Sequence, residues 1–107
     1  MRISADTEGG TTLLRLVGEL DLATADLLRE RVRPHVTGRS APELTLDLGG
    51  LEFLDVTGLG AILETRRKVV AAGGSLSLRR PRPMVVRMLS LLSLEDALHV
   101  EDDSRQA

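Results

Sequence analysis

The run LTLDLGGLEFLDVTGLGAIL, Leu44 to Leu63, changes its period partway along. Leu44, Leu46 and Leu48 alternate with Thr45 and Asp47, the two-residue period of a strand. From Leu59 onward the stripe Leu59, Ile62, Leu63, Arg66, Val69 and Val70 recurs at helical spacing, with Glu64, Arg67 and Lys68 left polar. Between the two, LEFLD leads into a turn made of an acid, Asp55, then Val56, a hydroxyl, Thr57, and Gly58. A strand handing over to a helix through such a turn is a β-α unit. The carboxyl end of a strand is where open α/β sheets place their sites.

The same grammar extends in both directions. Upstream, RISADTE and TTLLRLVGEL flank Gly9-Gly10 and read as a β-hairpin. Leu14 and Leu16 face one way and Leu13, Arg15 and Val17 the other, so this strand is expected to be covered on both faces for part of its length. From Leu22 to about Val36 the helical positions Ala25, Leu28, Val32 and Val36 oppose Asp26, Arg29, Glu30 and Arg33. Asp21 or Thr24 is placed to cap that helix, and Pro34 should end or kink it near Arg33. TGRSAPE is a loop. Downstream, Ala71-Ala72-Gly73-Gly74 ends the second helix and SLSL is a short strand. Pro83 opens a third helix whose core side is Val85 or Val86, Leu89 and Leu92. ALHV is a last edge strand. The order β-β-α-β-α-β-α-β predicts an α/β (α+β) domain with a mixed sheet and parallel crossovers.

Composition narrows the function. The 107 residues suit one domain, expected over 1–100, with a polar tail over 101–107. Hydrophobic residues make up 42%, but Phe53 is the sole aromatic, so Leu, Val, Ile and Ala build the core. Fourteen basic and 16 acidic residues give a net charge of −2, which argues against nucleic acid as a partner. The absence of cysteine excludes disulfides and thiolate chemistry. No apolar run approaches the ~20 residues that span a bilayer, and the N-terminus lacks a secretory signal. The expected compartment is the cytoplasm, without membrane attachment.

Two turns carry the candidate chemistry. In Asp55–Gly60 the plain reading is a capped helix, with Gly58 allowing a close approach. The functional reading is an anion switch: a phosphate at a helix N-terminus is stabilised by unpaired N–H groups and the helix dipole, yet adds about two negative charges to the surface. GELDLATA, Gly18 to Ala25, is a second strand-to-helix turn holding Asp21 and Thr24. If the two strands pair in parallel, Asp21 and Asp55 become neighbours beside Thr57; otherwise they are independent caps. Neither turn holds a histidine, so metal binding or acid–base catalysis by this pair is not expected. His35 and His99 read as surface or edge residues, and RRPRP as a solvated loop. TGLG lacks the spacing of a phosphate-cradling loop.

Taken in order, GELDLATA, LTLDL, LEFLDVTGLGAIL, the GG before SLSL, and a proline-led helix ending LLSLEDAL resemble the STAS domain. More narrowly, they are similar to bacterial anti-sigma factor antagonists. The resemblance covers about Arg2 to Val100. It implies a four- to five-stranded mixed sheet with helices mainly on one face. It also implies a binding module without enzymatic activity or cofactor, whose partner is an anti-sigma factor of the serine/threonine kinase type. The unmodified antagonist captures that partner and frees a sigma factor; phosphorylation reverses this and a phosphatase resets it. The implied partner-binding residues are Asp21, Thr24, Asp55, Val56, Thr57, Gly58 and an exposed helix face at Ala61, Glu64 and Lys68. In the family the hydroxyl directly after the aspartate usually accepts the phosphate. Here that position is Val56, which leaves Thr57, one residue on, as the candidate phosphoacceptor. The alternative is a non-phosphorylatable STAS scaffold, or a subunit of a signalling or transport complex that assembles with other STAS proteins.

Overall fold

The structure is a computed structural model and describes residues 1–101. Its strands are β1 (Arg2–Glu8), β2 (Thr11–Leu20), β3 (Glu43–Leu54), β4 (Ser75–Arg79) and β5 (His99–Val100). Its helices are α1 (Ala25–Val32), α2 (Val56–Ala71) and α3 (Pro83–Leu91). The sheet order is β1-β2-β3-β4-β5, with β1 antiparallel to β2 and every later pair parallel. Gly9 and Gly10 both take positive φ, which closes the β1–β2 hairpin in the sense that strand twist favours. The C-terminal stretch beyond Glu101 lies outside the described residues. Glu101 itself belongs to the fold, because its N–H donates to the Leu78 carbonyl and its carboxylate pairs with Arg79 at 2.9 Å.

Sequential parallel strands joined by like-handed crossovers put their helices on one face. Accordingly, Leu14, Leu16, Leu44, Leu46, Leu76 and Leu78 share one buried cluster with Leu28, Val32, Ile62, Val69, Val85 and Leu89. The opposite face is polar, although Leu13 and Thr45 are buried there, so β2 is covered on both sides as expected. Asp47 anchors that face. Its carboxylate meets Arg80 at 2.6 and 3.2 Å, accepts the Gly49 N–H at 2.9 Å and lies 3.9 Å from Arg15.

Four local expectations are corrected. The first helix begins at Ala25 rather than Leu22, while its end at Val32 falls where Pro34 was expected to break it, and Pro34 sits in a 3-10 turn, Arg33–His35, that has no use for its missing N–H. β3 does not stop at Gly49-Gly50 but runs on through LEFL. It accommodates two register shifts against β2, each an extra residue on the β3 side. A Cβ at Gly50 would crowd that passage, lying 3.0 Å from the Val17 side chain and 3.2 Å from the Leu16 carbonyl oxygen. On α2 the buried face is rotated: Gly58, Ala61 and Thr65 are buried with Leu59, Ile62 and Val69, whereas Val70 is exposed. The helix packs on α1 as well as on the sheet, and small residues allow that approach. On α3, Val85 rather than Val86 faces the core, and Leu92, past the helix end, is exposed.

Candidate functional site: the acidic rim of the sheet

The site is created by strand pairing. β2 and β3 run parallel with Leu20 opposite Leu54, and the Asp55 N–H donates to the Leu20 carbonyl at 3.3 Å. The residues that follow, Asp21 and Asp55, therefore leave neighbouring strands at the same rim. Leu20 and Leu54 are buried beneath it.

Each turn is held by its own polar groups. The Asp55 backbone is extended, and its Oδ1 accepts the Gly58 N–H at 2.8 Å, which caps α2. Gly58 is required by a close approach: a Cβ there would lie 2.3 Å from the Leu20 carbonyl oxygen. The first turn of α2 thus rests directly on the end of β2. In the other turn neither Asp21 nor Thr24 caps α1 through its side chain. The Asp21 carboxylate accepts the Ala23 N–H at 3.0 Å, closing an Asx turn before the helix begins. The Thr24 hydroxyl points back to the strand, donating to the Glu19 carbonyl at 2.8 Å and accepting the Asp21 N–H at 3.0 Å. The Asp21 Oδ1 also lies 3.2 Å from that hydroxyl.

Val56 and Thr57 occupy the first two positions of α2. Val56 is exposed and Thr57 half-buried. Among the described residues the Thr57 hydroxyl makes no hydrogen bond. Successive helical residues point about 100° apart, so the Thr57 hydroxyl does not project where a hydroxyl at position 56 would.

The expected exposed helix face is only partly present. Ala61 is 0% exposed and cannot meet a partner, because it lies on the packed side of α2. Glu64 is half-buried and committed to Arg29 of α1 at 2.8 Å, with Lys68 at 3.6 Å. The Arg29 hydrogen bond, against some desolvation and helped by the Arg29 and Lys68 charges, holds the Glu64 carboxyl below its usual range. Lys68 is exposed. Gly58 is buried and shapes the site from beneath. The rim also presents two apolar side chains that the sequence reading passed over, Leu22 and Phe53, both exposed. The available signal was position: each lies within two residues of the paired Leu20–Leu54.

Among the described residues no three side chains of metal-ligating type converge, and no helix is long and apolar enough to cross a membrane.

Residues 2–107 match the family model of the STAS domain, and the chain belongs to that family. It is 29% identical over 107 residues to the anti-sigma F factor antagonist of Paenibacillus polymyxa, covering 100% of this chain and 92% of that one. Its fold is similar to the crystal structure of an anti-sigma factor antagonist from Mycobacterium paratuberculosis, with a TM-score of 0.83 at 24% identity, covering 98% of this chain and 88% of that one. It is similar also to the Bacillus cell fate determinant SpoIIAA in its phosphorylated form, with a TM-score of 0.71 at 19% identity, covering 98% and 96% of the two chains.

Proposed function

We propose that this protein is an anti-sigma factor antagonist. It captures an anti-sigma factor of the serine/threonine kinase type at the rim formed by Asp21, Thr24 and Asp55–Gly58, and so releases a sigma factor in the cytoplasm. It acts as a binding module and not as an enzyme. The observation that carries this reading is the Leu20–Leu54 pairing, which brings both motif turns to one rim in a chain whose relatives are named as such antagonists. Val56 stands where the family usually carries the phosphorylated hydroxyl, so the protein stays unmodified at that position and remains competent to bind. A phosphate at Thr57 would have to be desolvated beneath a docked partner, which opposes binding.

Titration of the purified protein with each kinase-fold anti-sigma factor of its source cell tests the reading. Tight binding to at least one, with a sigma factor displaced, is expected; binding to none refutes it. Val56→Ser is expected to create a phosphorylation site for that kinase, and Thr57→Glu to weaken binding by roughly tenfold or more. Val56 also favours a second reading, a non-phosphorylatable scaffold or subunit that assembles with other STAS proteins. Size measurement on the native complex separates the two: a small heteromer supports the antagonist, a large multi-STAS assembly the scaffold.

A further inference from the structure

Exposed apolar side chains are scattered over most proteins, and single ones carry no meaning. Here three fall within two residues of the paired Leu20 and Leu54: Leu22 at 79%, Phe53 at 46% and Val56 at 72% exposure. Phe53, the chain's sole aromatic residue, lies outside the core. Leaving it exposed at a strand end is unusual for a domain otherwise built from aliphatic side chains. The same rim carries four carboxylates, Glu19, Asp21, Glu52 and Asp55, and Glu19 stands opposite Phe53 across the β2–β3 pair. Among the described residues none of the four makes an ion pair, so their charges face outward uncompensated.

We infer that Leu22, Phe53 and Val56 form the apolar centre of a docking surface whose acidic border selects a protein partner carrying an apolar patch ringed by Arg or Lys. This rests on the proposed function and adds the chemistry of the partner and two anchor residues, Leu22 and Phe53. An apolar centre inside a polar, charged margin is the ordinary anatomy of a protein–protein interface. The charge decides among occupants. Nucleic acid and anionic lipid are repelled by four carboxylates, and so is a second copy of this chain presenting the same rim. A hollow of about 660 Å³ between the end of α2, α3 and β4–β5 contains none of the rim residues. The free edge of β1 is a poorer place to dock: Arg31 donates to the Ile3 carbonyl, and Asp6 Oδ1 accepts the Thr7 N–H, so two of its main-chain groups are already taken. Charges at the border stay solvated and steer association, while the centre must be dry. On that division a carboxylate introduced at position 57 is expected to weaken binding, while those at 19 and 52 favour it.

The test places a benzophenone amino acid singly at positions 22, 53 and 56, with position 86 on α3 as a control, in the full-length protein expressed in its source cell. One protein is expected to cross-link from all three rim positions and not from the control, through residues that neighbour Arg or Lys. Its capture should fall roughly tenfold or more in Glu19→Lys/Glu52→Lys, and between about 0.05 M and about 0.5 M salt. Both substituted side chains are exposed, so thermal unfolding of this variant should match the parent. The inference is overturned if no protein cross-links from the rim, if a second copy of this chain or lipid is found there, or if capture ignores both charge reversal and salt. The function is tested separately by the identity of the captured protein. A basic-rimmed partner that is not an anti-sigma factor upholds the surface and refutes the proposed function. An anti-sigma factor that binds the parent without rim cross-links refutes this surface and the rim as the place of capture, while the antagonist role stands.

Discussion

Gly58 and Gly60 lie two residues apart in α2, and the same substitution at each should act with opposite sign. At Gly60 a new Cβ meets nothing within 4 Å, so Gly60→Ala removes a helix-unfavourable residue and should stabilise the protein by about 0.5–1 kcal/mol. At Gly58 the new Cβ would lie 2.3 Å from the Leu20 carbonyl oxygen, 2.8 Å from its carbonyl carbon and 2.9 Å from its Cγ. Two of these are backbone atoms of a buried strand and cannot rotate away. Either α2 lifts by about 1 Å, given preferred carbon contacts of about 3.5 Å, or β2 shifts. Overpacking of this kind costs about 1–3 kcal/mol, and a backbone obstacle places it at the upper end. Against a helix-propensity gain of about 1 kcal/mol, a net loss of about 2 kcal/mol is expected for Gly58→Ala. That corresponds to a Tm lower by roughly 8–16 °C for a domain of this size. Urea unfolding followed by circular dichroism is the assay, with the m-value required to stay constant. If Gly58→Ala matches or exceeds the parent, or moves with Gly60→Ala, then α2 does not rest on β2 and the geometry of the rim is wrong.

Three further outcomes follow from the same geometry. Thr24→Val removes both hydrogen bonds that tie the first turn to β2 and should cost about 1–2 kcal/mol, with Thr24→Ser recovering most of it; equal stability of the two variants would show the hydroxyl to be idle. Asp55→Ala should cost about 1 kcal/mol through the lost cap of α2, and Asp55→Ser much less, as read from urea midpoints. Burial pushes the Asp47 carboxyl up, but the hydrogen bonds from Arg80 and the Gly49 N–H and the Arg80 and Arg15 charges outweigh it and hold it below its usual value. A lowered folded value means that Asp47 contributes stability above about pH 4, which is lost as pH falls through the folded value. The urea midpoint should therefore drop between about pH 5 and about pH 2.5, and drop less in Asp47→Asn. A parent midpoint that is flat over that range would contradict the assignment.

Much of this molecule is written locally. The switch from a two-residue to a 3.6-residue period after Leu54 defines a strand and a helix because each period fixes which side chains share a face. Asp55 and Gly58 mark the helix start because a first-turn N–H has no carbonyl acceptor within the helix and takes one from the side chain three residues back. Pro34 ends α1 because it cannot continue a hydrogen-bond ladder. Other features were illegible. The rotated face of α2 depends on α1 lying beside it, which no spacing within α2 can report. Beside Gly49-Gly50, Val17 and Arg80 come within 3.0 Å of where a Cβ would be, a crowding set by neighbours distant in sequence. The acids of the site looked alike in sequence, yet Glu64 is bound to Arg29 while Glu19 and Glu52 are left to solvent.

By itself, the sequence determined the alternation of strands and helices, the glycine hairpin, the cap of α2 and the presence of two acidic turns, because these follow from dihedral preferences and hydrogen bonds between near neighbours. Tertiary structure alone decided that Ala61 is hidden, that Leu22, Phe53 and Val56 are left exposed, and that the two turns reach one rim. The last depends on which strands pair and in what register. That choice is set by the burial of Leu20, Leu54 and their distant partners together, a free energy that belongs to the assembled sheet and to no single segment of chain.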